Sequence, residues 1–278
     1  MNAMTWLAPL SSWLVMLHLG AQAYVQHDAP SSRPGVAFYL AHYGAPLAVV
    51  FLLGHAGVIG SHESLGLAVC VLSGVGTSAV PWALRDGASA GAMTRRLALG
   101  ATVALIALPL ASLAYADRDH ALIRFAVTAS ILVGVLWLPW RLGRLLLRHA
   151  WLPKPGLAVL GTAATLSVIA LILLVAWHEL PRLPERPWLI AACFLLVTTQ
   201  GVGGALLDAR TGLATTAVIR NLTLATLVLV IDERTANAVT ALAAFGTLMY
   251  LGVWPTSRLA RLLGAPRPST ATAEQDTR

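Results

Sequence analysis

Charged side chains make up only 11% of the 278 residues, against 57% hydrophobic ones, which is too little polar surface for a water-soluble domain. Acidic residues are scarcer than basic ones, 12 against 19, giving a formal charge of +7. The basic residues are scattered between apolar runs and gather on no single face, so nucleic acid is excluded as the partner. Lysine is almost missing: Lys154 stands alone among arginines. Cysteine is nearly absent too, and Cys70 and Cys193 sit far apart inside apolar runs, where they read as small hydrophobic filler. Neither a disulfide framework nor a metal set follows, and no cofactor is expected. His55, His62 with Glu63, and His178 with Glu179 form no HExxH or comparable catalytic pairing, and no stretch is long and polar enough for a soluble catalytic domain, so an enzyme is not expected.

Long apolar runs are abundant. A helix needs about 20 apolar residues to cross the roughly 30 Å hydrocarbon core. Runs at 4–25, 38–60, 64–84, 97–116, 122–141, 156–177, 187–207, 211–231 and 236–255 meet that need, which predicts an all-α polytopic membrane protein with about nine spans. Ala21-Gln22-Ala23 resembles a cleavage site, but no Lys or Arg precedes Arg33, so the first run reads as a retained helix. With nine spans, Arg33, Arg85, Arg95, Arg96, Arg141, Arg144, Arg148, Lys154, Arg210, Arg258, Arg261 and Arg267 fall on one side. Arg118, Arg124, Arg182, Arg186 and Arg234 fall on the other. The positive-inside rule then predicts a multi-pass protein of the cell membrane, most simply a bacterial inner one, with its N-terminus outside and its C-terminus cytoplasmic. Residues 1–263 read as one transmembrane domain, and the small, polar tail at 264–278 as disordered.

In a bilayer the informative residues are the polar ones, because an unpaired polar group in hydrocarbon costs several kcal/mol. The run from Leu65 to Pro81 gives way at mid-depth to Ser73, Gly74, Gly76, Thr77, Ser78 and Pro81. Glycine frees the backbone and proline deletes a donor, so a break is predicted there; breaks of this kind build solute and ion sites in secondary transporters. The alternative is a kink whose small residues permit tight packing. The run from Thr215 to Ile231 carries Arg220 and Asn221 near its centre, about ten residues from each end. A central arginine must face protein or water, and Thr216 shares its helical face at i, i+4. Thr198 to Gly204, polar and glycine-rich, either presents Gln200 to the same cavity or only lets its helix pack closely. The two halves thus repeat an order of apolar helix, polar interruption and helix, as inverted repeats do.

The stretch GLAVCVLSGVGTSAVPWALRDG with the following ALGATVALIALPL helix resembles the first crossover region of the bile acid:sodium symporter family. TTAVIRNLTLATLVL resembles that family's second crossover helix. The resemblance spans the whole chain with the family's first helix missing. It implies an inverted-repeat transporter of core and panel domains with two broken, crossing helices. Its first repeat covers about 1–141 and its second about 142–263. It further implies alternating access for a small organic anion, held by Arg220 with Asn221, Thr216, Ser73, Thr77, Ser78 and Gln200. Thr216, Arg220 and Asn221 stand where sodium-coupled members carry glutamate, glutamine and asparagine, and Ala79 stands where they carry asparagine. Thr216 and Asn221 are the remaining candidate sodium ligands, with a proton as the other coupling ion. A guanidinium donates five bonds and accepts none, so Arg220 stands in the place of one cation's charge. The alternatives are a transport-incompetent sensor or partner protein of the same fold, and a carrier of an uncharged solute.

Overall fold

The structure is a computed structural model that describes residues 2–25, 35–114, 121–208, 212–231 and 236–264. The tail at 265–278 lies outside the described residues. Among those residues every element is helical, apart from one isolated β-bridge. In chain order the helices are α1 (Asn2–Val25), α2 (Val36–His55), α3 (Ser61–Leu72), α4 (Val80–Arg85), α5 (Ala90–Ala114) and α6 (Ala121–Arg148). They continue with α7 (Lys154–Glu179), α8 (Pro187–Leu207), α9 (Leu213–Val218), α10 (Leu222–Ile231) and α11 (Ala236–Gly264).

Among the described residues six helices are long and apolar enough to cross a membrane, those built on α2, α5, α6, α7, α8 and α11. They coincide with six of the predicted runs. The predicted run 4–25 is α1. The runs 64–84 and 211–231 are not single helices: each is split, the first into α3 and α4, the second into α9 and α10.

Helices α2 and α6 each contain one π-turn, Leu40–Gly44 and Val133–Trp137, and each turn is followed within two residues by a proline, Pro46 or Pro139. Proline has no N–H for the carbonyl four residues earlier and its ring crowds that carbonyl, so the helix widens locally to pass it. In α2 the carbonyl four residues before Pro46 belongs to His42.

The helices fall into two sets by packing. In one, α8 lies along α11, α11 along α3, α9 along α8, and α2 against α3 and α8. In the other, α1 lies along the second half of α6 and along α7. Helix α5 leans on both α6 and α3, and the sets meet where α1 and α7 pack on α10. Lipid offers no hydrophobic gain for helix association, so close backbone approach at small residues must supply it. Gly66 accordingly sits on the backbone of Ala238, and Gly143 on that of Leu17.

Polar ties fix the ends. At one end Arg186 donates to Glu63 at 2.7 Å and to Asn237 at 2.8 Å. There Thr240 also donates to Glu179 at 2.7 Å, joining α11 to α7. At the opposite end Ser257 donates to Asp86 at 2.5 Å, tying the end of α4 to α11. Burial pushes the Asp86 carboxyl above the ordinary carboxylate range, against the opposing effects of Ser257 and Arg261.

Candidate functional site

The two interrupted helices meet at their breaks. Val75 and Arg220 form an antiparallel bridge. Gly76 N–H donates to the Ile219 carbonyl at 3.0 Å and Asn221 N–H donates to the Gly74 carbonyl at 3.1 Å. Backbone groups released by each break are thereby satisfied by the other, which is the condition for irregular backbone inside a membrane protein. Space makes the meeting specific to glycine: a methyl group on Gly76 would lie 2.5 Å from the Arg220 carbonyl oxygen. Gly74 has φ +80°, and a methyl group there would lie 2.7 Å from the Gly100 backbone of α5. The sequence-predicted break at Ser73–Gly76 is therefore real, while Pro81 sits in the first turn of α4, where its missing N–H costs nothing.

Arg220 is only 1% exposed. Its Nη2 donates to the His42 carbonyl, the one that Pro46 leaves without an N–H partner four residues on. With the Gln200 amide oxygen turned to the guanidinium, Gln200 accepts from Nη2 at 3.0 Å and from Nε at 3.2 Å. The guanidinium lies 5.6 Å from the ring centroid of Tyr43, a cation–π contact. Nη1 has no partner. Among the described residues no carboxylate forms an ion pair with Arg220, so its charge is held by neutral oxygens and an aromatic face.

A cavity of about 600 Å³ lies on the seam between the two helix sets. Its walls include His18 and Gln22 of α1, Thr77, Ser78 and Trp82 beside the first break, Gly161 and Val168 of α7, and Tyr250 of α11. Ser78 and Tyr250 hydroxyls are 3.1 Å apart across it. Among the described residues no Asp, Glu, Lys or Arg lines it. A methyl group on Gly161 would lie 2.7 Å from the His18 ring, so the imidazole occupies a notch in α7.

The seven predicted binding residues do not form one shell. Arg220 and Gln200 are together, directed toward α2. Thr77 and Ser78 face the seam cavity instead. Ser73 donates to the Cys70 carbonyl at 2.7 Å, and Thr216 to the Gly212 and Leu213 carbonyls at 3.1 and 3.0 Å. Asn221 accepts from Leu224 N–H at 3.1 Å and so caps α10. The side-chain oxygens of the two candidate sodium ligands, Thr216 and Asn221, are thus engaged with backbone. Sequence reading missed His42, Tyr43, His18 and Tyr250. Only His42 carried a signal, in its spacing of four from Pro46.

The glycine-rich stretch of α8 packs closely, and its Gln200 turns to Arg220 rather than to the seam cavity. Gly204 permits close packing, since a methyl group there would lie 2.7 Å from Ala214 Cα, and Gln200 reaches Arg220.

Comparison of the chain with protein-family models and with curated proteins gives no match.

Proposed function

We propose that the chain is a secondary transporter that moves a small organic anion across the cell membrane by alternating access. The observation that carries this reading is the crossing of two broken helices beside a cavity on the seam between two helix sets. Irregular backbone at mid-span is retained where it is buried in protein or lines a water-filled path. Here the first break does both, pairing with Arg220 on one side and presenting Thr77 and Ser78 to the cavity on the other. A seam cavity opens and closes when one helix set moves against the other, whereas a cavity inside one set would not. The resemblance to bile acid:sodium symporters supports the same assignment of the breaks, with the set holding α3, α4, α9 and α10 as core and α1, α6 and α7 as panel. An outside N-terminus and a cytoplasmic C-terminus belong to this proposal.

Arg220 selects the sign of the solute through its field. A buried charge with no paired carboxylate among the described residues leaves a positive field around it, and two unit charges roughly 10 Å apart at an effective dielectric of about 20 interact by about 1.7 kcal/mol. In the arrangement described here the guanidinium is enclosed, so it attracts an anion without touching it. A second reading, an uncharged solute, is favoured by the uncharged polar lining of the cavity, with His18, Gln22, Thr77, Ser78 and Tyr250 and no charged side chain among the described residues.

The test is counterflow into proteoliposomes preloaded with one of a panel of small carboxylates, with sodium or potassium as the only cation. Accumulation of labelled carboxylate is expected, and its response to sodium replacement reports the coupling ion. Counterflow of uncharged polyols alone selects the second reading; no counterflow with any solute contradicts transport.

A further inference from the structure

A second ligand site lies away from the crossing. An apolar groove of about 130 Å³ runs between α1, α5 and α6, walled by Met16 and Leu19, by Leu97, Ala101 and Leu105, and by Leu136, with Trp137 and Trp140 at one end. Its polar side chains are two threonines, Thr94 and Thr102; the Thr102 hydroxyl is turned back to the Ala98 carbonyl at 2.9 Å, and the other lining residues are apolar.

The end closed by tryptophans carries positive charge. Arg141 is held 5.6 Å from the Trp137 ring centroid and Arg144 5.0 Å from that of Trp140, each one helical turn further along α6. Tryptophan rings sit at the level of lipid headgroups, and an arginine stacked on one of them is presented to that layer rather than to bulk water. The same pairing recurs at this end of the molecule in Arg258 over Trp254, at 5.0 Å. The three helices that form the groove contain no Asp or Glu, so no acid within them neutralises Arg141 and Arg144.

We infer that this groove binds an anionic phospholipid, with part of one acyl chain between α1, α5 and α6 and the phosphate received by Arg141 and Arg144. Guanidinium groups bind phosphate oxygens by charge-assisted, often bidentate, hydrogen bonds. A hydrocarbon groove that opens onto two cations at headgroup depth matches both parts of such a lipid. Because α5 packs on both α6 and α3, the bound lipid lies beside the seam between the two helix sets. The site is independent of the transport reading, since none of its residues lines the seam cavity except Leu19.

The test uses the full chain, delipidated in neutral detergent, with native mass spectrometry and thermal unfolding as readouts. The probes are phosphatidylglycerol, phosphatidylcholine with the same acyl chains, and inorganic phosphate. Retention of phosphatidylglycerol and a raised Tm are expected for the native sequence, with at least about tenfold weaker retention in the double variant Arg141→Gln, Arg144→Gln. Both arginines are on the surface of a helix end, so that variant is expected to fold. Filling the groove by Ala101→Phe is expected to weaken retention with the arginines intact. Equal retention of phosphatidylcholine, an unchanged response in the double variant, or full stabilisation by inorganic phosphate alone would each overturn the inference, the last by showing a free-anion site.

Discussion

Gly76→Val is expected to abolish recovery of folded, monodisperse protein, because the crossing has no room for any side chain. The nearest atoms to a methyl group at Gly76 are the carbonyl oxygen and carbon of Arg220, at 2.5 and 2.9 Å, and both are backbone. No rotamer change relieves such a clash, so the two breaks must separate and lose the bonds Gly76 to Ile219 and Asn221 to Gly74. Two backbone bonds left unmade in a buried setting cost about 1–3 kcal/mol for each stranded group, which with the clash exceeds the margin of an ordinary domain's single mutations. The φ of Gly76 is −77°, so the penalty is steric and not conformational, and it grows with side-chain size from alanine to valine. Gly203→Ala in α8 is the matched control. A methyl group there meets nothing within 4 Å, and alanine in a helix interior is better than glycine by about 0.5–1 kcal/mol. Fluorescence-detected size exclusion of the two variants checks the pair: a sharp peak for Gly203→Ala and aggregate for Gly76→Val is the expected outcome.

Arg220→Met separates folding from function. Methionine fills much of the volume of the arginine stem, and it removes a buried cation that no described carboxylate pairs. Removing a buried ion also removes its desolvation penalty, on the order of several kcal/mol in a folded protein. The His42 carbonyl and the Gln200 oxygen lose their donor, which costs about 1–3 kcal/mol each, so the two effects nearly cancel. The expected result is a folded protein with Tm within a few degrees of the native sequence, and carboxylate counterflow reduced at least about tenfold through loss of the Arg220 charge. Counterflow of an uncharged solute is expected to survive. Native-like carboxylate counterflow in folded Arg220→Met would remove Arg220 from the account.

The apolar runs carried the helices. Six of the nine predicted runs coincide with long apolar helices, because bilayer thickness imposes a length that composition reveals, while several helix ends lie five to eight residues from the expected ones. The first break was legible for a similar reason: Gly74, Gly76 and Pro81 cannot continue a helix comfortably, and the chain leaves the helix at Ser73. Arg220 was conspicuous because a charge in hydrocarbon needs a reason. Its partners were not legible. His42 and Tyr43 lie about 180 residues away in sequence and meet Arg220 only because α2 packs on α8 and α9, which no local pattern encodes. The single-shell expectation for Ser73, Thr216 and Asn221 overlooked a local competitor: hydroxyls and amides at helix ends bond their own backbone first. The seam cavity was invisible from sequence because its polar lining, His18, Gln22, Thr77, Ser78, Thr165 and Tyr250, comes from α1, the first break, α7 and α11.

The measurement that bears most directly on the account is solvent access to Ser78 from the two sides of the membrane. Ser78→Cys places a thiol on the cavity wall, and the native Cys70 and Cys193 are buried, so the background is low. In oriented right-side-out and inverted vesicles, a membrane-impermeant thiol reagent is expected to reach Cys at this position from each side, and a transported carboxylate is expected to slow labelling from both. Reaction from one side only, unchanged by any carboxylate, would contradict alternating access through the seam.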